Sequence, residues 1–236
     1  MSSGRSKFIL LFILLLIVGT KTNHARAMEL GDLRPGDVIL VSLNCYVCKA
    51  ISKTTLSPYN HSGLVLDAGD ALGGVDFDKE TFSRLRVAQS LGTTSTVTLD
   101  EFFAQVKNGS PFTVLRPKEL NQLRDHDPAR YAGARRKLRG FFNEQMLGRG
   151  FDDDYLWDNV DQNGRELLYC SEMIQKTLNH VLSEPLRPIG LDYSRMWEFW
   201  FEYFDGEVPQ GLPGNSPASL QASDLMMTVV EGAVHP

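Results

Sequence analysis

Cys170 is the residue in this chain best placed to act as a nucleophile. It stands at the start of the run Cys170, Ile174, Leu178, Val181, whose spacing predicts one apolar face of a helix of about three turns. Unpaired backbone N–H groups and the macrodipole at a helix start favour a thiolate, and the thiolate is the reactive form of cysteine. Cysteine also packs well as a small hydrophobe, and Cys170 lies on the apolar face, so helix geometry alone leaves a buried structural role open.

A thiol nucleophile needs a base within hydrogen-bond reach, and the five histidines differ in what they can supply. His24 falls in an N-terminal segment that is expected to be removed. His180 is ten residues along the same predicted helix as Cys170, about 15 Å away at 1.5 Å per residue. His126 lies in the charged turn Asp125-His126-Asp127, and His235 is close to the end of the sequence. Elimination leaves His61, at the start of the apolar run Ser62 to Leu66, where a strand could hold the ring still.

Two further groups invite chemical readings. Cys45-Tyr46-Val47-Cys48 has the C-x-x-C spacing of a redox centre, half a metal site or a local disulfide. No second cysteine pair completes a zinc site and no thioredoxin-like unit follows, so a structural disulfide or two reduced packing residues is expected. Asn159-Val160-Asp161-Gln162-Asn163-Gly164 resembles half of a calcium loop, but the twelfth position is Cys170 rather than a bidentate glutamate. That segment and Asp152-Asp153-Asp154 are read as polar surface, and no cofactor or metal is expected.

The elements that must position these residues alternate in type. Val38 to Val41, Ser62 to Leu66, Leu85 to Ser90, Thr93 to Val97 and Phe112 to Leu115 read as strands. Thr98-Leu99-Asp100-Glu101 has capping-box spacing and opens a helix with Leu99, Phe102, Phe103 and Val106 on one face. Pro128 to Phe142 is a helix whose Arg130, Arg135, Arg136, Lys137 and Arg139 form a solvated face. Ala68 to Glu80 is a surface loop, and Gly206 to Pro236, with Pro209, Pro213 and Pro217, reads as an irregular tail. The mixture predicts an α+β fold with a mainly antiparallel sheet over residues 28–205.

Residues 1–27 have the form of an export signal. Arg5 and Lys7 precede the apolar run Phe8 to Gly19, and Ala25-Arg26-Ala27 supplies a small-x-small cleavage site. The run is shorter than the roughly 20 residues of a spanning helix, so contact with a membrane is expected only in transit. Removing four basic residues and no acidic ones shifts the formal charge from −5 to −9. That balance argues against an electrostatic grip on nucleic acid or anionic lipid. The oligomeric state is not legible.

Three segments resemble the YiiX-like permuted papain-fold proteins, a branch of the NlpC superfamily. They are Leu33-Arg34-Pro35-Gly36-Asp37-Val38-Ile39, Ser57-Pro58-Tyr59-Asn60-His61-Ser62-Gly63-Leu64-Val65 and Tyr169-Cys170-Ser171-Glu172-Met173-Ile174. The resemblance covers most of residues 30–205, and each block alone is weakly specific. It implies a circularly permuted papain-like fold in which the histidine strand precedes the cysteine helix and lies beside its N-terminus.

The resemblance also implies a third polar residue that orients the imidazole, usually glutamate. In Val87-Ala88-Gln89-Ser90 that position is Gln89, a departure that keeps a hydrogen-bond acceptor but adds no negative charge. The backbone N–H of Cys170 is the first candidate oxyanion donor. The implied activity is an exported thiol hydrolase acting on an amide or ester bond of a cell-wall peptide or acylated small molecule. An acyltransferase or lipid hydrolase on the same fold, or a ligand-binding module without turnover, are the alternatives.

Overall fold

The computed structural model describes residues 33–66 and 85–234. The expected export signal, the loop Ala68 to Glu80, His24 and His235 lie outside the described residues.

Short β-branched and leucine-rich runs form the centre of one six-stranded antiparallel sheet. In chain order its strands are β1 (Val38–Val41), β2 (His61–Leu66), β3 (Arg86–Leu91), β4 (Thr93–Thr98), β5 (Pro111–Pro117) and a late strand, Met226–Ala233. The spatial order is β4-β3-β2-β1-β5 followed by that late strand. Alternation along each strand splits the interior in two. Val38, Leu40, Leu64 and Leu66 join the core on one face of the sheet, while Ile39, Val41, Val65 and Val87 join the core on the other.

The helices follow from their caps and apolar faces. α1 (Tyr46–Thr55) begins at Cys45 and ends at Leu56 in a left-handed conformation. α2 (Leu99–Ala104) starts with a complete Thr98–Glu101 capping box and buries Leu99 and Phe102. α3 (Lys118–His126) and α4 (Pro128–Phe141) follow, and a π-helical turn, Phe142–Met146, continues α4. α5 (Cys170–Asn179) packs against β2 and β3 and buries Met173, Ile174 and Leu178 in the larger core. α6 (Trp197–Tyr203) supplies Trp200 to a separate aromatic cluster with Tyr193 and Ala50. Among the described residues, no helix is long and apolar enough to cross a membrane.

The expectation of an irregular tail from Gly206 to Pro236 is overturned. A two-stranded pair, β6 (Ile189–Gly190) with β7 (Pro213–Gly214), leads to α7 (Pro217–Gln221) and then to β8 (Met226–Ala233), which pairs with β5 along the main sheet. The prolines punctuate rather than prevent structure: Pro217 occupies the first turn of α7, where a missing N–H costs nothing. The domain therefore extends well past residue 205.

One ion pair anchors the sheet beside the Pro35-Gly36-Asp37 turn. Arg116 on β5 donates to both carboxylate oxygens of Asp37, at 2.7 Å through Nε and 2.8 Å through Nη2, and both side chains are buried. Asp37 also accepts from the backbone N–H of Arg34 at 2.8 Å. The turn that feeds β1 is thus fixed to β5 by a planar fork that matches a carboxylate.

Candidate active site

The sheet brings His61 and Gln89 together. His61 opens β2, Gln89 sits on the neighbouring β3, and His61 Nε2 lies 3.0 Å from Gln89 Oε1. Both side chains are buried, and the His61 ring stacks on Phe102 of α2 at a centroid distance of 5.8 Å. The imidazole is held by its strand, an amide oxygen and an aromatic face.

Cys170 meets this histidine from the helix side. Ser90 Oγ on β3 donates to the carbonyl of Leu168 at 2.6 Å, and Leu168 N–H donates to Gly150 at 2.9 Å, so the residues just before α5 are tied to the sheet. Tyr169 precedes the helix in extended conformation with no side-chain cap, which leaves the N–H groups of the first turn without a side-chain acceptor. The Cys170 thiol lies close enough to His61 and Ser62 for both to act on its ionisation. With Nε2 engaged by Gln89, Nδ1 is the ring nitrogen left for the sulfur.

The electrostatics follow from that contact. Burial by itself pushes the Cys170 thiol up, but the hydrogen bond and charge of His61, with Ser62, outweigh it and hold the thiol below its ordinary value. Burial alone pushes His61 down, yet the bonds to Cys170 and Gln89 and the charge of Cys170 leave it above its ordinary value. The two shifts favour a thiolate beside an imidazolium.

Cys170 borders a cavity of about 390 Å³. Its wall is built largely from apolar and aromatic side chains, among them Tyr155, Leu191, Tyr193 and Trp200, with Ile51 and Thr54 of α1. Thr54 Oγ1 accepts from Trp200 Nε1 at 2.7 Å, which fixes the indole. Tyr155 has a positive φ of 53° and is held there by the loop around buried Asp152. That carboxylate accepts from the N–H groups of Asp154 and Leu156 and from Asn159 Nδ2.

Sequence reasoning read the Asp152-Asp153-Asp154 run as polar surface, and for Asp152 the structure overturns this, since its carboxylate organises the loop that carries Tyr155. The aromatic wall from α6 was also missed, although the density of rings in Trp197 to Phe204 was a visible signal. Of the remaining histidines within the described residues, His180 ends α5 and stacks on Phe141 at 4.2 Å, and His126 ends α3. Cys45 and Cys48 form a disulfide, leaving Cys170 as the free thiol. Asp161 Oδ1 accepts from the N–H groups of Asn163 and Arg165, a self-contained polar turn.

Among the described residues, one acidic group has the spacing to hold a cation: Asp158, Glu166 and Glu172 offer oxygens within 4.8 Å of one another. The ammonium of Lys176 sits among them, 2.6 Å from Asp158 and 2.8 Å from Glu172, with Glu166 also bonded. Burial pushes Glu172 up to about 7, against the pull of Lys176. The cluster pins the loop before α5 onto the helix through an internal cation, which does not suit a metal as the residues stand.

No family model and no curated protein matches the chain. Among solved structures, the crystal structure of metalloprotein YiiX from Escherichia coli O157:H7 superposes with a TM-score of 0.64 at 19% identity, covering 86% of this chain and 98% of that one. The fold is that of YiiX. The likeness extends over almost the whole YiiX chain, so the sheet and α5 belong to one shared architecture rather than to a local motif.

Proposed function

We propose that this protein is an exported thiol hydrolase of permuted papain-like design, cleaving the amide or ester bond of an acylated small molecule. The observation that carries the reading is the chain Cys170, His61, Gln89 opening on an apolar cavity. The histidine strand precedes the cysteine helix, the order expected of the permuted branch. His61 takes the thiol proton, and Cys170 Sγ attacks the carbonyl carbon. The oxyanion forms at the start of α5, where the Cys170 N–H is a candidate donor. His61 then gives the proton to the leaving amine or alcohol, and water, deprotonated by His61, releases the acid and restores the thiol.

The aromatic wall favours an acyl chain over a charged cell-wall peptide, because most of the surface facing the cavity is apolar. The Cys45–Cys48 disulfide fits the oxidising compartment to which residues 1–27 would direct the chain. YiiX is described as a metalloprotein. The thiol reading here rests on residues separate from the acidic cluster that holds Lys176.

The test is covalent labelling and turnover. A thiol-directed acyl probe is expected to label the parent at Cys170 and not Cys170→Ala, and Cys170→Ser is expected to lose turnover of acyl amides and esters. Equal labelling of parent and Cys170→Ala would reject the assignment. The burial of Cys170, 8% exposed, also suits acyl transfer, since it limits water at the sulfur. Product analysis with an added amine separates the two reactions.

A further inference from the structure

The Cys45–Cys48 disulfide lies at the start of α1, apart from the thiol and imidazole described above. Cys45 is the N-cap residue and is exposed, whereas Cys48 is buried. The backbone N–H of Cys48 points at Cys45 Sγ, 3.0 Å away, and the first turn holds no acidic residue. Two residues separate the cysteines, so the cross-link closes a very short loop and removes little freedom from the unfolded chain. The backbone already ties Cys45 to the residue after Cys48 through Lys49 N–H to Cys45 O at 3.2 Å. As a staple the bond adds little.

As a reactive group it is well placed. An outside thiolate can approach exposed Cys45, and a thiolate left on Cys45 is stabilised by the N–H that already points at it and by the helix start. The buried sulfur stays within reach for the return step. We propose that Cys45–Cys48 is a thiol–disulfide exchange site for low-molecular-weight thiols, entered at Cys45. A thiolate RS⁻ attacks Cys45 Sγ, the S–S bond breaks, and Cys48 leaves as thiolate and takes up a proton. A second RS⁻ attacks the sulfur of the bound R group, giving RSSR and Cys45 thiolate. Two thiols are oxidised and one disulfide is reduced. α1 also supplies Ile51 and Thr54 to the cavity wall, so the exchange occurs on an element that walls the candidate active site. The inference does not depend on what Cys170 does.

The experiment uses the folded full-length protein in buffers graded from oxidised to reduced glutathione. Free thiols are alkylated and quantified at each cysteine by peptide mass spectrometry. Cys45 and Cys48 are expected to become alkylated together within the series while the thermal transition remains native. In Cys48→Ser, Cys45 is expected to form a mixed disulfide with oxidised glutathione at least about tenfold faster than Cys48 does in Cys45→Ser. A pair that stays closed in the most reducing buffer until the protein is unfolded overturns the proposal, as does a rate ratio near one. Should either variant fail to fold, the titration of the parent protein decides alone.

Discussion

Gln89 Oε1 lies 3.0 Å from His61 Nε2, and this contact decides which ring nitrogen is free for chemistry. An amide oxygen only accepts, so Nε2 carries the hydrogen and Nδ1 is left as the nitrogen free for Cys170. Gln89→Ala is expected to lower kcat/KM by about tenfold to a hundredfold through loss of that orientation. Gln89→Glu should retain the orientation and move the alkaline limb of the rate profile upward, because a carboxylate stabilises the imidazolium. Rates on an acyl ester over a pH series check both, and an unchanged rate in Gln89→Ala would remove Gln89 from the site.

Rate against pH should be bell-shaped. Cys170 titrates below its ordinary value of 9.0, so the acid limb, where the thiol must ionise, lies below that value. His61 titrates above its ordinary 6.5, so the alkaline limb, where the imidazolium proton is lost, lies above it. The thiolate–imidazolium pair exists between the two limbs. The ultraviolet absorbance of the thiolate, followed in parent and Cys170→Ser, should rise along the acid limb.

Gly63 stands two residues beyond His61 on β2, and a Cβ there would approach Val87 Cγ1 to 2.4 Å and Phe102 Cε2 to 2.6 Å. Phe102 is also the ring stacked on His61. Gly63→Ala is therefore expected to cost about 1–3 kcal/mol of stability and to displace the imidazole. Urea unfolding measures the first effect and kcat the second; a variant with parental stability would mean that Phe102 moves freely.

Removing Arg116 takes the bidentate partner from the buried Asp37 carboxylate and leaves Arg34, whose guanidinium donates to Asn121, as the nearby cation. Arg116→Met is expected to destabilise the fold by about 3–5 kcal/mol, with Arg116→Met/Asp37→Leu recovering part of the loss. Chemical denaturation of the three proteins forms the check.

Lys176→Met strips the cation from Asp158, Glu166 and Glu172. Glu172 is buried and already raised to about 7, and without Lys176 it rises further. A carboxyl group raised above its unfolded value of 4.5 is favourable when protonated, so stability of the variant should fall as pH rises from about 5 to 8. Thermal melts across that range are expected to show a steeper decline than in the parent.

Strands β1, β2, β3 and β5 and helix α5 were legible from apolar runs bounded by Gly, Pro or Asn and from a helical stripe behind Cys170, while β4 was legible from its β-branched threonines. The Thr98–Glu101 capping box was legible for a local reason, two side chains bonding within four residues. Other elements depend on distant partners. β8 is an edge strand with exposed Met227 and Glu231, so its alternation is weak, and its place is set by pairing with β5. α6 mixes rings with glutamates in no simple stripe, and its helix is explained by Trp200 entering the cluster with Tyr193 and Ala50. Asp152 looked like one of three solvated acids. Only the backbone folding around it distinguishes its role.

Thr113 on β5 bonds to Val230 on β8 across 117 residues of chain. During synthesis, then, the outer side of β5 waits without its neighbour while every intervening helix is made. A bare strand of this kind can recruit the matching strand of another nascent copy, so crowding on the ribosome is a hazard for this topology. The arrival of residues 226–233 closes that window, and the yield of native protein should depend on how quickly they follow.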